Sequence, residues 1–186
     1  YISAEKGVSE EVASTLIDLV NEKGKPSTWT YNPDCMEFQI ANPFSQFKVE
    51  NDEAMISVLP DLFGLAESCM RHMNRFFQNN VCDIITGHHG FWILKYEQGG
   101  QFDLHCDWDS GPNGIRPPVV ATVCVLLNDE FKGGETLLLT SEARQTIIPR
   151  EKLSILMWDG FTQHKVAPVT EGIRYALVIH YTGTIK

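Results

Sequence analysis

Two side chains with the chemistry of metal ligands, His105 and Asp107, lie two residues apart within residues 95–109. If this stretch is a β-strand, alternate side chains share a face, so the imidazole and the carboxylate project together and Cys106 points away. Such a pair supplies two of the three ligands of the 2-His-1-carboxylate arrangement, which holds Fe(II) and leaves coordination positions open. Taken alone, the pair is more simply explained as a hydrogen-bonded polar strand end.

A second group of chemically competent residues lies in residues 159–179. His164 is expected at a strand end, proline and glycine then turn the chain, and Arg174 opens a strongly β-prone run. His164 is therefore a candidate for the third metal ligand. A guanidinium is a planar fork of donors that grips a carboxylate bidentately. A 2-oxo acid chelated by Fe(II) and anchored on Arg174 through its distal carboxylate accounts for both histidines, the aspartate and the arginine.

Four sequence blocks between residues 91 and 181 carry a resemblance to a known family. Residues 96–107 read Y-E-Q-G-G-Q-F-D-L-H-C-D, and residues 121–136 contain A-T-V-C-V-L-L-N-D and G-G-E-T. Residues 154–158 read S-I-L-M-W, and residues 164–174 read H-K-V-A-P-V-T-E-G-I-R. In this order and register the blocks resemble the Fe(II)/2-oxoglutarate dioxygenases, specifically the branch of prolyl 4-hydroxylases and lysyl hydroxylases.

The resemblance implies a role for each matching position. Arg174 would pair with the C5 carboxylate of 2-oxoglutarate, Tyr96 would hydrogen-bond the same co-substrate, and Thr122 would lie close by. The implied iron ligands are His105, Asp107 and His164.

Three positions depart from the family's patterns and leave the substrate open. Arg174 stands where collagen-type prolyl hydroxylases carry lysine, although lysyl hydroxylases and oxygen-sensing prolyl hydroxylases carry arginine there. Phe102 replaces a tyrosine of the first block, and Leu126 replaces the usual tyrosine before the Leu-Asn pair.

The activity implied by the resemblance is an oxidative decarboxylation of 2-oxoglutarate to succinate and CO2, coupled to hydroxylation of a C–H bond. Fe(II) is the implied cofactor, and 2-oxoglutarate and O2 are the implied co-substrates. Whether ascorbate (vitamin C) is also needed stays open. A prolyl or lysyl residue in a peptide or protein is the favoured substrate, and a free amino acid or small metabolite is the alternative.

Two other classes of protein compete with this hypothesis. A cupin-like metal enzyme that does not use 2-oxoglutarate would keep the metal ligands but would not need Arg174. A catalytically silent binding domain of the same fold would usually have lost a ligand, and here none is missing.

The expected fold is mainly β with flanking helices (α+β), a double-stranded β-helix or jelly-roll core with N-terminal helices packed on it. We expect residues 1–186 to form one dioxygenase domain, with a helical and irregular N-terminal support in 1–89 and the core with the metal site in 90–186. The predicted strands are residues 91–96, 119–127, 136–139, 145–148, 153–158 and 173–181.

The N-terminal support is expected to contain two helical segments. One begins at the N-cap residue Ser9 and ends at Gly24, and the other spans residues 53–78 with an interruption at Pro60. Residues 28–50 between them are equally well explained as a mobile lid over the substrate or as an edge strand with loops.

Composition bounds the partners and the compartment. The 186 residues are 43% hydrophobic and 21% charged, which excludes a disordered chain. A net charge of −9 argues against nucleic acid, and no apolar run reaches the ~18 residues that a membrane span needs. The chain begins with tyrosine, which indicates a trimmed or mature form.

Five scattered cysteines without a C-x-x-C motif favour a reducing compartment such as the cytoplasm. Bridges from Cys35 or Cys69 to Cys82 stay open as alternatives. Cys106 and Cys124 are expected to be buried in core strands.

Further polar residues compete for a role at the site. Residues 87–90, Gly-His-His-Gly, are predicted to be a turn rather than a second metal site. The loop of residues 109–118 is a candidate substrate loop or a solvated connection. Asp159 either hydrogen-bonds a ligand imidazole or forms a turn. His180 is expected to be a buried, hydrogen-bonded histidine, and His72 is expected at the surface.

Overall fold

The computed structural model describes residues 2–4, 7–27, 35–40, 52–77, 82–108, 118–139, 145–147 and 151–185. Two helices are found in this part of the chain, α1 (Glu10–Lys23) and α2 (Glu53–Phe77). Its strands are β1 (Ile2–Ala4), β2 (Lys25–Pro26), β3 (Cys35–Ile40), β4 (Cys82–Tyr96), β5 (Phe102–His105), β6 (Val119–Leu126), β7 (Phe131–Gly133), β8 (Thr136–Leu139), β9 (Gln145–Ile147), β10 (Ile155–Asp159), β11 (His164–Val166), β12 (Val169–Gly172) and β13 (Arg174–Ile185).

The strands form a large sheet and a small sheet, as a jelly-roll core requires. The large sheet has seven strands in the order β1-β10-β6-β13-β4-β3-β2, and the smaller one has four in the order β5-β11-β8-β9. A separate ribbon pairs β12 with β7. All of these pairings are antiparallel. This arrangement of sheets with flanking helices confirms the expected fold class.

Strand β6 shows how the core is divided between two faces of the large sheet. All eight of its residues are buried, because helices cover one face and the small sheet covers the other. Val123 and Val125 belong to the apolar cluster that includes Leu16 of α1 and Leu62 of α2. The alternate residue Cys124 belongs to a second cluster on the opposite face. The site described below lies on this inner face.

Both helices differ little from the sequence prediction, apart from one proline. Helix α1 begins at the predicted cap, where the Ser9 hydroxyl accepts a hydrogen bond from the Val12 amide, and its C-cap is Gly24. The predicted interruption at Pro60 is wrong, because α2 continues through it. Proline removes one backbone hydrogen bond, but the buried side chains Val58 and Leu62 on either side hold both turns against the core.

The prediction of a turn at residues 87–90 is also wrong, because they lie inside β4. Along β4 the chain advances three residues from His88 to Phe91, while β13 advances only from Ile179 to Tyr181. The extra residue is accommodated as a bulge, with Gly90 at a positive φ of 111°. The glycine signal therefore marked a bulge inside a long strand, which composition does not distinguish from a turn.

Four cysteines in the described part of the chain carry free thiols: Cys35, Cys69, Cys106 and Cys124. Cys35 and Cys69 are not in disulfides, so the alternative bridges to Cys82 are wrong. Cys124 is buried as expected, whereas Cys106 is exposed because β5 ends one residue before it. Among the described residues, neither helix is long and apolar enough to span a membrane.

Asn128 fastens the first residues of β13 to the end of β6. Its buried side-chain amide donates to the Ile173 carbonyl at 2.8 Å and accepts from the Tyr175 amide at 2.9 Å. These two bonds lie on either side of Arg174, so they fix the backbone that carries the guanidinium.

Replacing Asn128 is expected to destabilise the fold. In Asn128→Ala, a half-buried carbonyl and a buried amide lose their partner, and we expect the free energy of unfolding to fall by about 2 kcal/mol. Urea denaturation of the wild type and the variant measures this change. Asn128→Asp keeps the acceptor for Tyr175 and should lose less, and equal stability of all three proteins would contradict the assignment.

Candidate metal centre

The two predicted histidine ligands face each other across the small sheet. His105 is the last residue of β5 and His164 is the first residue of β11, and the two are paired in antiparallel register. Asp107 follows His105 in a bend beyond the end of β5, not in the strand as expected. Nevertheless, one ligand atom from each of the three residues lies within 4.8 Å of the others. The Asp107 Oδ1 atom is 3.5 Å from the Nε2 atom of each histidine.

Backbone carbonyls orient both imidazoles. His105 Nδ1 lies 2.6 Å from the Asp103 carbonyl oxygen, and His164 Nδ1 lies 2.9 Å from the Thr162 carbonyl oxygen. A carbonyl only accepts, so Nδ1 carries the proton in both rings. Each Nε2 atom then presents its lone pair to the common centre, as a metal ligand must.

The Asp107 carboxylate has one oxygen held by the protein and one facing the centre. Its Oδ2 atom accepts from the Thr122 hydroxyl at 2.6 Å and from the Trp158 indole N–H at 3.1 Å. Burial by itself raises the pKa of Asp107, but hydrogen bonds to the carboxylate, including the one from the Thr122 hydroxyl, hold that pKa below its usual range. The group is therefore a carboxylate at neutral pH, with Oδ1 available.

Burial favours the neutral form of two imidazoles at the centre. It lowers the pKa of His164, and it lowers the pKa of a third histidine at the centre, His180, to about 4. Neutral imidazoles and an ionised carboxylate are the forms that bind a divalent cation. Two nitrogen donors and one carboxylate oxygen on one side of a centre fit Fe(II).

The donors on Asp107 are expected to tune the affinity for metal. Thr122→Val preserves the shape of the side chain but removes the hydroxyl that holds Oδ2, and we expect Fe(II) or Co(II) to bind about 10-fold more weakly. Anaerobic calorimetry gives the dissociation constants. Thr15→Val on α1 is the matched control, and an unchanged affinity in Thr122→Val would contradict the role of this hydroxyl.

A buried cationic pocket lies next to the metal centre. Arg174 opens β13, is 3% exposed and is paired in register with Tyr96 of β4. Its guanidinium carbon lies 5.1 Å from the centroid of the Tyr96 ring, and one terminal nitrogen donates to the Thr136 hydroxyl at 3.2 Å. Burial raises the pKa of Tyr96 well above its usual value, so this phenol stays protonated and can donate a hydrogen bond.

The charge in this pocket calls for an anion. Among the residues that the structure describes, no carboxylate forms an ion pair with Arg174. Its buried Nε atom has no hydrogen-bond partner in the same set. A buried, unpaired charge is costly, so the pocket fits the distal carboxylate of a 2-oxo acid.

Several contributors to the site escaped sequence analysis. The second donor on Asp107 is Trp158, which sequence analysis noted only as the end of the S-I-L-M-W block, and the role of Asn128 was not foreseen. Thr136 belongs to the quoted G-G-E-T block, which could have signalled it. Asp159 is turn-forming, because its Oδ1 atom accepts from the amides of Phe161 and Thr162 at 3.0 and 2.9 Å.

The other candidates do not join the metal centre. His72 is exposed on α2, as expected. Asp109 and the rest of the candidate substrate loop up to residue 117 lie outside the described residues. Of the possible lid, residues 35–40 form β3 against β4, and residues 28–34 and 41–50 lie outside the described residues.

Comparison with known sequences identifies the class. Residues 91–182 match the sequence model of the 2OG-Fe(II) oxygenase superfamily. A PKHD-type hydroxylase of Idiomarina loihiensis is 33% identical over 94 residues, which are 50% of this chain and 42% of that protein. A PKHD-type hydroxylase of Pseudomonas putida is 30% identical over 92 residues, 45% of this chain and 39% of that protein. The chain therefore spans less than half the length of these curated relatives.

Residues 91–182 belong to the 2OG-Fe(II) oxygenase superfamily, and solved structures of prolyl hydroxylases share the fold of this chain. A prolyl hydroxylase of Trichoplax adhaerens, solved with a peptide fragment of hypoxia inducible factor, matches with a TM-score of 0.75 at 18% identity. The match covers 97% of this chain and 82% of the Trichoplax chain. A prolyl-4-hydroxylase of Pseudomonas putida has a TM-score of 0.67 at 13% identity, over 98% of this chain and 91% of its own.

Membership of this superfamily implies Fe(II), 2-oxoglutarate and O2. The donor set at the centre and the unpaired guanidinium beside it fit the metal and the co-substrate. The superfamily match also decides against a cupin-like enzyme that does not use a 2-oxo acid.

Proposed function

We propose that this protein hydroxylates prolyl residues in peptides or proteins, with Fe(II) as cofactor and 2-oxoglutarate and O2 as co-substrates. The observation that carries the proposal is a three-donor centre together with a buried Arg174, which forms no ion pair with any carboxylate in the described part of the chain, on the same inner face of the jelly roll. The choice of a prolyl substrate rests on likeness to prolyl hydroxylase structures, one of which holds a peptide.

The metal would be held by Nε2 of His105, Nε2 of His164 and Oδ1 of Asp107. The carbonyls of Asp103 and Thr162 keep the two nitrogens deprotonated. When bound, Fe(II) supplies the activation of O2, in which one oxygen atom enters succinate and the other enters the product hydroxyl.

The co-substrate would extend from the metal to Arg174. The guanidinium and the Thr136 hydroxyl would bind the distal carboxylate, and the protonated phenol of Tyr96 would donate a further hydrogen bond. Thr122 is assigned to Asp107 through its 2.6 Å hydrogen bond rather than to the co-substrate. The apolar side chains around this pocket, such as Phe102 and Val169, exclude water from it.

The helices and the core are proposed to act as one domain. Residues of α1 and α2 and residues of the large sheet share one apolar cluster. The N-terminal half therefore stiffens the sheet whose inner face carries the site.

A substrate screen tests the proposed function. The protein is incubated with Fe(II), 2-oxoglutarate, O2 and ascorbate, together with proline-containing peptides, lysine-containing peptides or free amino acids. We expect succinate to form in proportion to a peptide that gains one oxygen atom on proline, as measured by mass spectrometry. Oxygen gained only by lysine or by a free amino acid, with coupled succinate, would overturn the prolyl assignment and leave the cofactor chemistry intact.

A further inference from the structure

A third imidazole lies beside the metal-facing oxygen of Asp107. His180, in β13, is 6% exposed, and its Nε2 atom is 3.8 Å from Asp107 Oδ1. The corresponding distance is 3.5 Å for each of His105 and His164. Thr122 and Trp158 hold the other carboxylate oxygen, Oδ2. His180 therefore lies beside Oδ1, the oxygen that faces the common centre of the three candidate ligands.

The large sheet fixes this ring in place. His180 is paired in register with Thr122 of β6, whose hydroxyl donates to the same carboxylate. The imidazole packs against the indole of Trp92 on β4, with ring centroids 5.0 Å apart and an interplanar angle of 39°. Trp92 is itself 5% exposed. The ring of His180 is thus held by its pairing with β6 and by Trp92 of β4, with its Nε2 atom towards Asp107.

The distances favour an outer position for this imidazole rather than direct coordination. The close group of possible ligand atoms consists of His105, Asp107 and His164, and His180 is outside it. Its Nε2 atom is also farther from Oδ1 than the nitrogens of the other two histidines. Three protein ligands leave positions of the metal open to small oxygen donors. A neutral imidazole next to such a position can hydrogen-bond its occupant, and burial strengthens that bond.

We propose that His180 is a positioning residue of the metal centre, which hydrogen-bonds the exchangeable oxygen ligand on the open side of the metal next to Asp107. In the protein without 2-oxoglutarate that ligand is water. The proposal rests on the metal site of the proposed function but is independent of the substrate.

Cobalt(II) binding to the full chain tests the proposal without turnover. In His180→Phe the ring is kept and the hydrogen bond is lost, so we expect Co(II) affinity to fall about 10-fold and the visible Co(II) absorption to change. His180→Gln restores a hydrogen-bonding group and should recover most of the affinity. His88→Phe is the matched control, because His88 lies in the neighbouring strand among the rings of Phe63, Phe91 and Tyr181.

Proton NMR of the Co(II) protein separates an outer position from direct coordination. The Nδ1–H groups of His105 and His164 should give two exchangeable, paramagnetically shifted signals in both the wild type and His180→Phe. A third such signal that disappears in His180→Phe would overturn the outer position in favour of direct coordination.

The failures of the two proposals are distinguishable. If the wild type binds no Co(II), the metal site of the proposed function is wrong. If the wild type binds Co(II) and His180→Phe has the same affinity and absorption, only the inference about His180 is overturned. Thermal melting of the metal-free proteins checks folding, and His180→Leu replaces His180→Phe if the latter does not fold.

Discussion

His164→Ala is expected to abolish metal binding. Its Nε2 atom is one of three donors around the centre, and the remaining imidazole and carboxylate form an incomplete site. Since loss of an outer-shell partner alone costs 10–100-fold in metal affinity, we expect loss of this ligand to cost more than about 100-fold. Anaerobic calorimetry with Fe(II) or Co(II) measures the effect, and hydroxylation should fall with it.

The matched control for this variant is His72→Ala, because His72 is an exposed histidine on α2. It should bind metal as the wild type does. A His164→Ala protein that is folded and binds Fe(II) with unchanged affinity would show that the ion is held elsewhere.

Arg174→Met is expected to weaken binding of 2-oxoglutarate by about 100-fold or more while leaving the metal site intact. The guanidinium is 3% exposed and has no carboxylate partner among the described residues. The distal carboxylate would therefore lose its counter-charge in a water-poor pocket, and removing one partner of a buried charge pair costs roughly 2–5 kcal/mol. The apparent KM for 2-oxoglutarate, with peptide and Fe(II) held saturating, reports this loss.

Two comparisons make the result specific to the co-substrate. Arg71→Met removes an exposed arginine that pairs with Glu67 on α2, and the KM should not change. Arg174→Lys keeps the charge but not the planar fork, so it should fall between the wild type and Arg174→Met. An Arg174→Met protein with an unchanged KM for 2-oxoglutarate and wild-type metal affinity would contradict the anchoring role.

The three candidate ligands, which the structure brings together, and the nearby Arg174 could be picked out from the sequence because their signals are local and chemically rare. His105 and Asp107 are two residues apart, and His164 and Arg174 flank a proline–glycine segment with family-like spacing. The strand Thr136–Leu139 has the predicted bounds, since it is short, apolar and delimited by a glycine pair. In these places local preference and tertiary structure agree.

What could not be predicted depends on contacts between residues far apart in the chain. Asp107 lies beyond its strand, and its carboxylate is oriented by Thr122 and Trp158, which are 15 and 51 residues away. The place of His180 next to Oδ1 follows from the register of β13 with β6. Composition and periodicity do not encode that register directly.

Two further errors of secondary structure have the same origin. Glycines 87 and 90 were interpreted as a turn, but the long pairing of β4 with β13 keeps them in a strand and absorbs one residue as a bulge. Pro60 was interpreted as a break, but the buried residues around it keep α2 continuous. In both cases tertiary packing overrides a local preference.

The most direct test of the account is anaerobic addition of Fe(II) and 2-oxoglutarate, followed by visible absorption. A 2-oxo acid that chelates iron gives a weak charge-transfer band, and we expect this band in the wild type. The band should be absent in His164→Ala and should require far more 2-oxoglutarate in Arg174→Met. Wild-type protein that binds Fe(II) but shows no band at saturating 2-oxoglutarate would contradict the assignment of this site to a 2-oxo acid.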